Sequence, residues 1–156
     1  MDDKRLEVLL TELNENSAER HNVARQIIEL YKDSTDADAY YALGMIYEEG
    51  YAVTIDYAQA FYYYREGSKL NHANCEFALS KCYLLGKGCK KSYVKAVYYT
   101  ECAVRDGSKE AIDHLKVITE VIFGTEQYKF TLDDLEWLDK KGDEVARRVK
   151  ERYPNA

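Results

Sequence analysis

The sequence is poor in the residues that break or staple a small fold. Its single proline, Pro154, lies near the end of the 156 residues, so no helix interior has to lose an amide or meet a pyrrolidine ring. No stretch approaches the roughly 18 to 20 apolar residues that a membrane span needs. The apolar run after Met1 ends early: Leu6, Leu9 and Leu10 give way to polar Asn14, Glu15 and Asn16, too short for a secretory core. A cytoplasmic protein is expected. The four cysteines, Cys75, Cys82, Cys89 and Cys102, contain no C-x2-C pair, and a chain of this size with 46% hydrophobic residues buries a core without disulfides or metal. Free, packed thiols are therefore the expectation, with no metal and no cofactor. Basic residues are also in deficit, 22 against 28 acids, and the net charge of -6 disfavours nucleic acid and anionic membrane as partners. The balance is uneven along the chain, acidic over residues 1–50 and basic over 51–100.

What the sequence does have is a period. Shifted by 36 residues, Ala39, Leu43, Tyr47 and Gly50 fall on Cys75, Leu79, Tyr83 and Gly86. Tyr57, Ala60, Tyr62 and Tyr63 likewise fall on Tyr93, Ala96, Tyr98 and Tyr99. A repeat of this length marks a stacked architecture in which each unit buries its apolar face against its neighbours. Each unit reads as two helices. Ala39, Leu43, Ile46 and Tyr47 share one face of a helix A, and Tyr57, Ala60, Phe61 and Tyr64 one face of a helix B. Gly50 is suited to end helix A in the left-handed conformation, and Asp56 and Ser92 to cap the helices that follow.

The period decays at both ends. Upstream, Ala24 precedes Ala60 by one period, and Asn16 with Glu19 reads as a capping box for that helix. Downstream, Ala111, Leu115 and Ile118 repeat Ala39, Leu43 and Ile46, but Thr119 and Ile122 replace the tyrosine and the glycine. A loop over residues 124–130, a cap at Thr131, a stop at Gly142 and a charged final helix complete the chain. The expected fold is all-α, a right-handed α-α superhelix of antiparallel helix pairs with about 36 residues per repeat. The expected divisions are a degenerate N-terminal repeat or cap at 1–34, repeats at 36–71 and 72–107, a degenerate third copy at 108–142 and a capping helix at 143–156.

The string Ala39-x3-Leu43-Gly44-x2-Tyr47-x2-Gly50-x-Ala52-Val53-x2-Asp56-x3-Ala60 resembles the Sel-one-like repeat, a relative of the tetratricopeptide repeat. The second copy departs from it at Ser80, where the family has glycine, and at Cys89, where it has valine. The resemblance implies a non-enzymatic adaptor that holds a protein or peptide on its concave helix-A surface. An inhibitor or immunity protein directed at a toxin is an alternative use of that surface. A cysteine-rich branch of the family pairs cysteines eight residues apart and includes members described as acting on penicillins. That spacing is absent here, because Glu110 stands eight after Cys102 and Gly67 eight before Cys75, so a hydrolase of that kind is the more distant alternative.

The remaining chemistry-bearing residues point the same way. His21, His72 and His114 are far apart and read as surface or helix-end residues, with no nucleophile motif beside them. Consecutive helix residues diverge by roughly 100°, so Glu48-Glu49 and Asp133-Asp134 read as solvated acids rather than as acid-base pairs. Gly86-Lys87-Gly88 lacks the spacing of a phosphate loop. The 15 tyrosines are the notable excess. Tyr47, Tyr57, Tyr64, Tyr83 and Tyr93 fit repeat core positions, whereas Tyr40, Tyr41, Tyr62, Tyr63, Tyr98 and Tyr99 are less easily absorbed there and either contact a partner or, for half or more of them, line the junction between neighbouring repeats. The candidate binding residues are Tyr40, Tyr41, Met45 and Glu48 on the first helix A and Phe77, Lys81 and Leu84 on the second. Acids at Glu48, Glu49 and Asp56 and bases at Lys81, Lys87, Lys90, Lys91 and Lys95 would give that surface two poles that orient a partner. A monomer is expected.

Overall fold

A computed structural model describes residues 4–15, 18–123 and 129–152. Among them there are nine α-helices and no strands. Three helix pairs come first: α1 (Lys4–Asn14) with α2 (Arg20–Tyr31), α3 (Ala37–Glu49) with α4 (Tyr57–Ser68), and α5 (Ala73–Leu85) with α6 (Tyr93–Arg105). Then come α7 (Lys109–Ile118), α8 (Leu132–Lys141) and α9 (Glu144–Arg152). Each helix of the first three pairs packs on its partner, α4 packs on α5 and α6 on α7, and α1, α3 and α5 touch in series. That is the stacking the period predicts. No helix among the described residues is long and apolar enough to cross a membrane.

The local signals in the sequence act where they stand. Asp56 Oδ1 accepts the Gln59 amide at 3.1 Å, and Ser92 Oγ accepts the Lys95 amide at 3.2 Å, so α4 and α6 are capped identically. The same two residues donate their own amides to Tyr47 and Tyr83 carbonyls, each at 2.9 Å, which fixes the A-to-B turn in both repeats. Gly50 ends α3 at φ 75°, a conformation that costs a side-chain-bearing residue about 1 kcal/mol or more. Thr131 and Asp134 form a reciprocal capping box at the start of α8.

Packing is close where the family-like glycine sits. A Cβ on Gly44 would stand 2.3 Å from Tyr64 Cε1, so the bare backbone of α3 is what admits the fully buried Tyr64 ring of α4. In the second repeat, the equivalents are Ser80 and Thr100, both wholly buried. Their hydroxyls are satisfied within their own helices, by the Phe77 carbonyl at 2.7 Å and the Ala96 carbonyl at 2.8 Å. Large plus nothing in one repeat becomes small plus small in the next, and the departure at Ser80 is thereby explained.

Several expectations need correction. Tyr57 is 40% exposed, because as the first residue of α4 it lies out over the next repeat's turn, with Lys87 Nζ 5.2 Å from its ring. Tyr47, Tyr83 and Tyr93 are half-buried, and of the five tyrosines assigned to the core only Tyr64 is fully enclosed. Tyr98, left between a partner contact and a repeat junction, is 5% exposed, since α9 packs on α6 and the Tyr98 hydroxyl donates to Asp143. The start of α2 also differs. Asn16 lies outside the described residues, and Glu19, directly before Arg20, makes no side-chain cap. In the third copy, with no glycine at position 122, α7 does not stop but widens into a π-helical turn, Thr119–Phe123. Residues 124–128 of the expected loop lie outside the described residues.

Candidate interaction surface

The helix-A residues of the two repeats form a face that continues onto α7. Tyr41 on α3 is half-buried, its ring 6.3 Å from that of Tyr64 and 5.8 Å from that of His72. His72 is held on both sides: Nδ1 accepts the Cys75 amide at 3.2 Å, capping α5, and Nε2 donates to Asp38 Oδ1 at 2.8 Å. Burial, followed by the fields of Cys75, Glu110 and Glu48, raises the Tyr41 pKa, so the phenol stays a hydrogen-bond donor. One period on, Phe77 lies between Lys81, whose Nζ is 4.6 Å from the ring centroid, and His114 of α7, edge-on at 5.1 Å.

One acid and two bases of the expected charge poles act on each other electrostatically. Glu48 is half-buried and burial raises its pKa, while Lys87 and Lys81 act in the opposite direction, which places acid and bases within reach of each other. Met45 is half-buried against the N-terminal core, and Leu84 against the core shared by α6, α7, α8 and α9. Tyr40 lies elsewhere, its ring 6.4 Å from Tyr63 of α4. The structure thus brings Tyr41, Glu48, Phe77 and Lys81 onto one face, sets Met45 and Leu84 into the cores behind it and turns Tyr40 towards α4.

His114 was not singled out from the sequence as a partner-facing residue. It is half-buried, its Nε2 is buried without a hydrogen-bond partner, and burial with Lys81 nearby lowers its pKa, which keeps the ring neutral at pH 7. Val117, three residues after His114 in α7, and Val121, in the π-helical turn that follows, are 56% and 67% exposed. The readable signal for them was two valines at i+3 and i+7 from the histidine, outside the register of the core positions Ala111 and Ile118.

The cysteines behave as small apolar residues. All four are free, and Cys75, Cys82 and Cys102 are buried. Burial pushes the Cys82 and Cys102 thiols up to about 12 and raises those of Cys75 and Cys89 as well.

With this geometry in place, comparisons with known proteins agree on the architecture. The Sel1 repeat family matches residues 37–72 and 73–108. No curated protein matches the chain. Among solved structures, the chain is similar to a Sel1 repeat protein from Oxalobacter formigenes, with a TM-score of 0.64 and 19% identity over 92% of this chain and 55% of that one. It is also similar to c5321, a protective antigen present in uropathogenic Escherichia coli strains that displays an SLR fold, with a TM-score of 0.69 and 16% identity. That match covers 96% of this chain and 30% of the antigen, so the chain spans about half of the first relative and under a third of the second. At such identities the likeness establishes the fold alone, whereas the repeat family as a whole consists generally of protein-interaction modules. The chain therefore carries two Sel1 repeats, at 37–72 and 73–108, within a helical solenoid.

Proposed function

We propose that the protein is a non-catalytic adaptor that binds an extended segment of a partner protein across the helix-A face of α3, α5 and α7. The observation that carries this reading is the row Tyr41, Phe77 and His114, continued by exposed Val117 and Val121. It combines aromatic anchors and an apolar run with a phenol donor and an unpartnered imidazole nitrogen. Aromatic side chains lose little entropy on binding and dominate interface energetics, and a buried nitrogen without a partner gains from one supplied by the ligand. The mixed charge of Glu48, Lys81 and Lys87 supports a partner of mixed charge rather than a uniformly acidic or basic one. Binding rather than turnover is supported by the thiols, whose raised pKa values leave almost no thiolate nucleophile at pH 7. Four free cysteines fit a reducing compartment, in keeping with a cytoplasmic protein.

The test is affinity capture of partners by the full chain, compared with Phe77→Ala and with Val117→Asp. Phe77→Ala is expected to reduce capture at least about tenfold, the loss of one well-placed anchor. Val117→Asp leaves the core untouched and separates a binding effect from a folding one. Unaltered capture by both variants, with unaltered melting, would remove this face from consideration.

A further inference from the structure

Glu76 stands one period after Tyr40. Where the first repeat packs the Tyr40 ring beside Tyr63, the second has a carboxyl group and open space beside Tyr99. The space is a cavity of about 200 Å³, on the side of the helix pairs to which Tyr40 rather than Tyr41 belongs. Its walls include Arg65 of α4, Glu76 of α5, Tyr99 of α6, and Lys141 and Asp143 from the end of α8 and the turn after it.

The polar groups in this wall are unevenly satisfied. Both oxygens of Asp143 are engaged, Oδ2 accepting the Tyr98 hydroxyl and Oδ1 the Ala146 amide. Glu76 is 2% exposed, and its Oε1 has no hydrogen-bond partner. Its Oε2 lies 3.6 Å from Arg105 Nη2, but that guanidinium is committed to Asp106 at 2.8 Å. Burial first, and a side-chain hydrogen bond to Asp106 second, push the Glu76 carboxyl up to about 9, so at neutral pH it is protonated with its O–H given to Asp106, does not repel an anion and leaves Oε1 as an acceptor. Lys141 is the complementary case. Its ammonium lies 5.3 to 5.8 Å from the Trp137, Tyr98 and Tyr99 rings, and no carboxylate among the described residues pairs with it. Arg65 approaches Glu66 only at 3.9 Å, and Lys69 already holds that carboxylate at 2.8 Å.

We propose that this cavity is a binding site for a small oxyanion that carries its own hydrogen-bond donor, such as hydrogen phosphate or a hydroxycarboxylate, with Lys141 and Arg65 pairing the charge and Glu76 Oε1 accepting the donor. An acceptor next to a cationic wall selects for a protonated oxyanion, because a bare one would bring a lone pair against Oε1 and leave it unpaired. The ligand would also bridge α4 and α5 to the end of α8 and the turn after it.

Titration calorimetry of the full chain at pH 7 tests this with matched pairs of ions, inorganic phosphate against sulfate and glycolate against acetate. The member with a donor is expected to bind at least about tenfold more tightly in each pair, the worth of one buried hydrogen bond. Whichever of phosphate and glycolate binds more tightly identifies the phosphate or the carboxylate as the natural headgroup. Glu76→Tyr, which copies the first repeat, is expected to abolish binding with a cooperative melt retained. Glu76→Gln, which offers a donor as well as an acceptor, is expected to narrow the phosphate-to-sulfate ratio to about threefold or less. Lys141→Ala is expected to weaken phosphate about tenfold. Absence of binding by all four ions, equal binding of phosphate and sulfate, or undiminished binding by Lys141→Ala would each overturn the proposal. Should Glu76→Tyr fail to fold, the Gln and Ala variants decide the matter alone.

Discussion

The two repeats are capped at equivalent positions, by Asp36 and Asp56 in the first and His72 and Ser92 in the second, and share left-handed stops and turn hydrogen bonds, yet their interiors are filled differently. The first is aromatic: Tyr64 lies over Gly44, and Tyr40 lies beside Tyr63. The second is polar: Ser80 and Thr100 replace the first pair, and Glu76 with a cavity replaces the Tyr40 ring. Equal spacing therefore fixes where the helices run without fixing what lies between them. The surface turns are subject to local hydrogen-bonding rules that allow few alternatives, whereas a core position is answerable only to the combined volume of its neighbours.

The comparison breaks most sharply at Gly44. Gly44→Ser alone, which copies the second repeat on one side only, is expected to destabilise the fold by about 3 kcal/mol or more, since the new Cβ meets the Tyr64 ring. Gly44→Ser with Tyr64→Thr copies both sides and is expected to cost less than the two single changes added together. Urea denaturation of the four proteins gives the coupling, and strict additivity would refute the volume exchange.

The next effect concerns Glu76 and pH. The folded-state pKa of Glu76 is raised to about 9, so between the unfolded value near 4.5 and about 9 the folded chain binds the proton that the unfolded chain has released. Its stabilising contribution is complete below pH 4.5 and declines as pH rises towards 9. Glu76→Gln, which cannot ionise, is therefore expected to gain on the parent chain between pH 5 and pH 8, by at most about 1.4 kcal/mol per pH unit. Melting temperatures of both proteins across that range are the measurement, and parallel curves would show a carboxyl that is ionised when folded.

Smaller changes sharpen the likeness rather than the difference. Asp56→Ala and Ser92→Ala remove equivalent caps and are expected to cost about 1 kcal/mol each, equal within error. Ala52 occupies φ 61°, and its amide is held by His21 Nδ1 at 2.7 Å, whereas the second repeat has Gly88 at the equivalent place. Ala52→Gly is expected to raise stability by about 0.5 to 1 kcal/mol, by relieving a conformation that glycine takes freely.

The parts of the fold that could be read directly were those set by nearest neighbours in sequence. Gly50, Gly86 and Gly142 end helices, and Asp56, Ser92 and Thr131 begin them, because each acts on backbone groups within four residues. The burial of Tyr98 and the exposure of Tyr57 could not be read in the same way, because they depend on α9 and on the following turn, which the period does not encode. On the candidate face, helical spacing grouped Tyr41 with Glu48 and Phe77 with Lys81. Tyr40 could not join them, as adjacent helix residues point about 100° apart. His114 was read as one more surface histidine because its surroundings come from α5. The substitution of Glu76 for a tyrosine was visible in the alignment of the repeats, but its burial was not, since nothing local distinguishes an enclosed carboxyl from a solvated one.

The chain has one tryptophan, and its position makes it a built-in gauge. Trp137 meets Tyr98 edge-on at 5.0 Å, with Lys95 at 5.4 Å and Lys141 at 5.3 Å from its ring. A single indole at the seam between α8 and α6 reports by its emission whether the last helices are seated. The tyrosine signal follows the rest of the solenoid, so the order in which the two parts come undone can be followed without attaching any label.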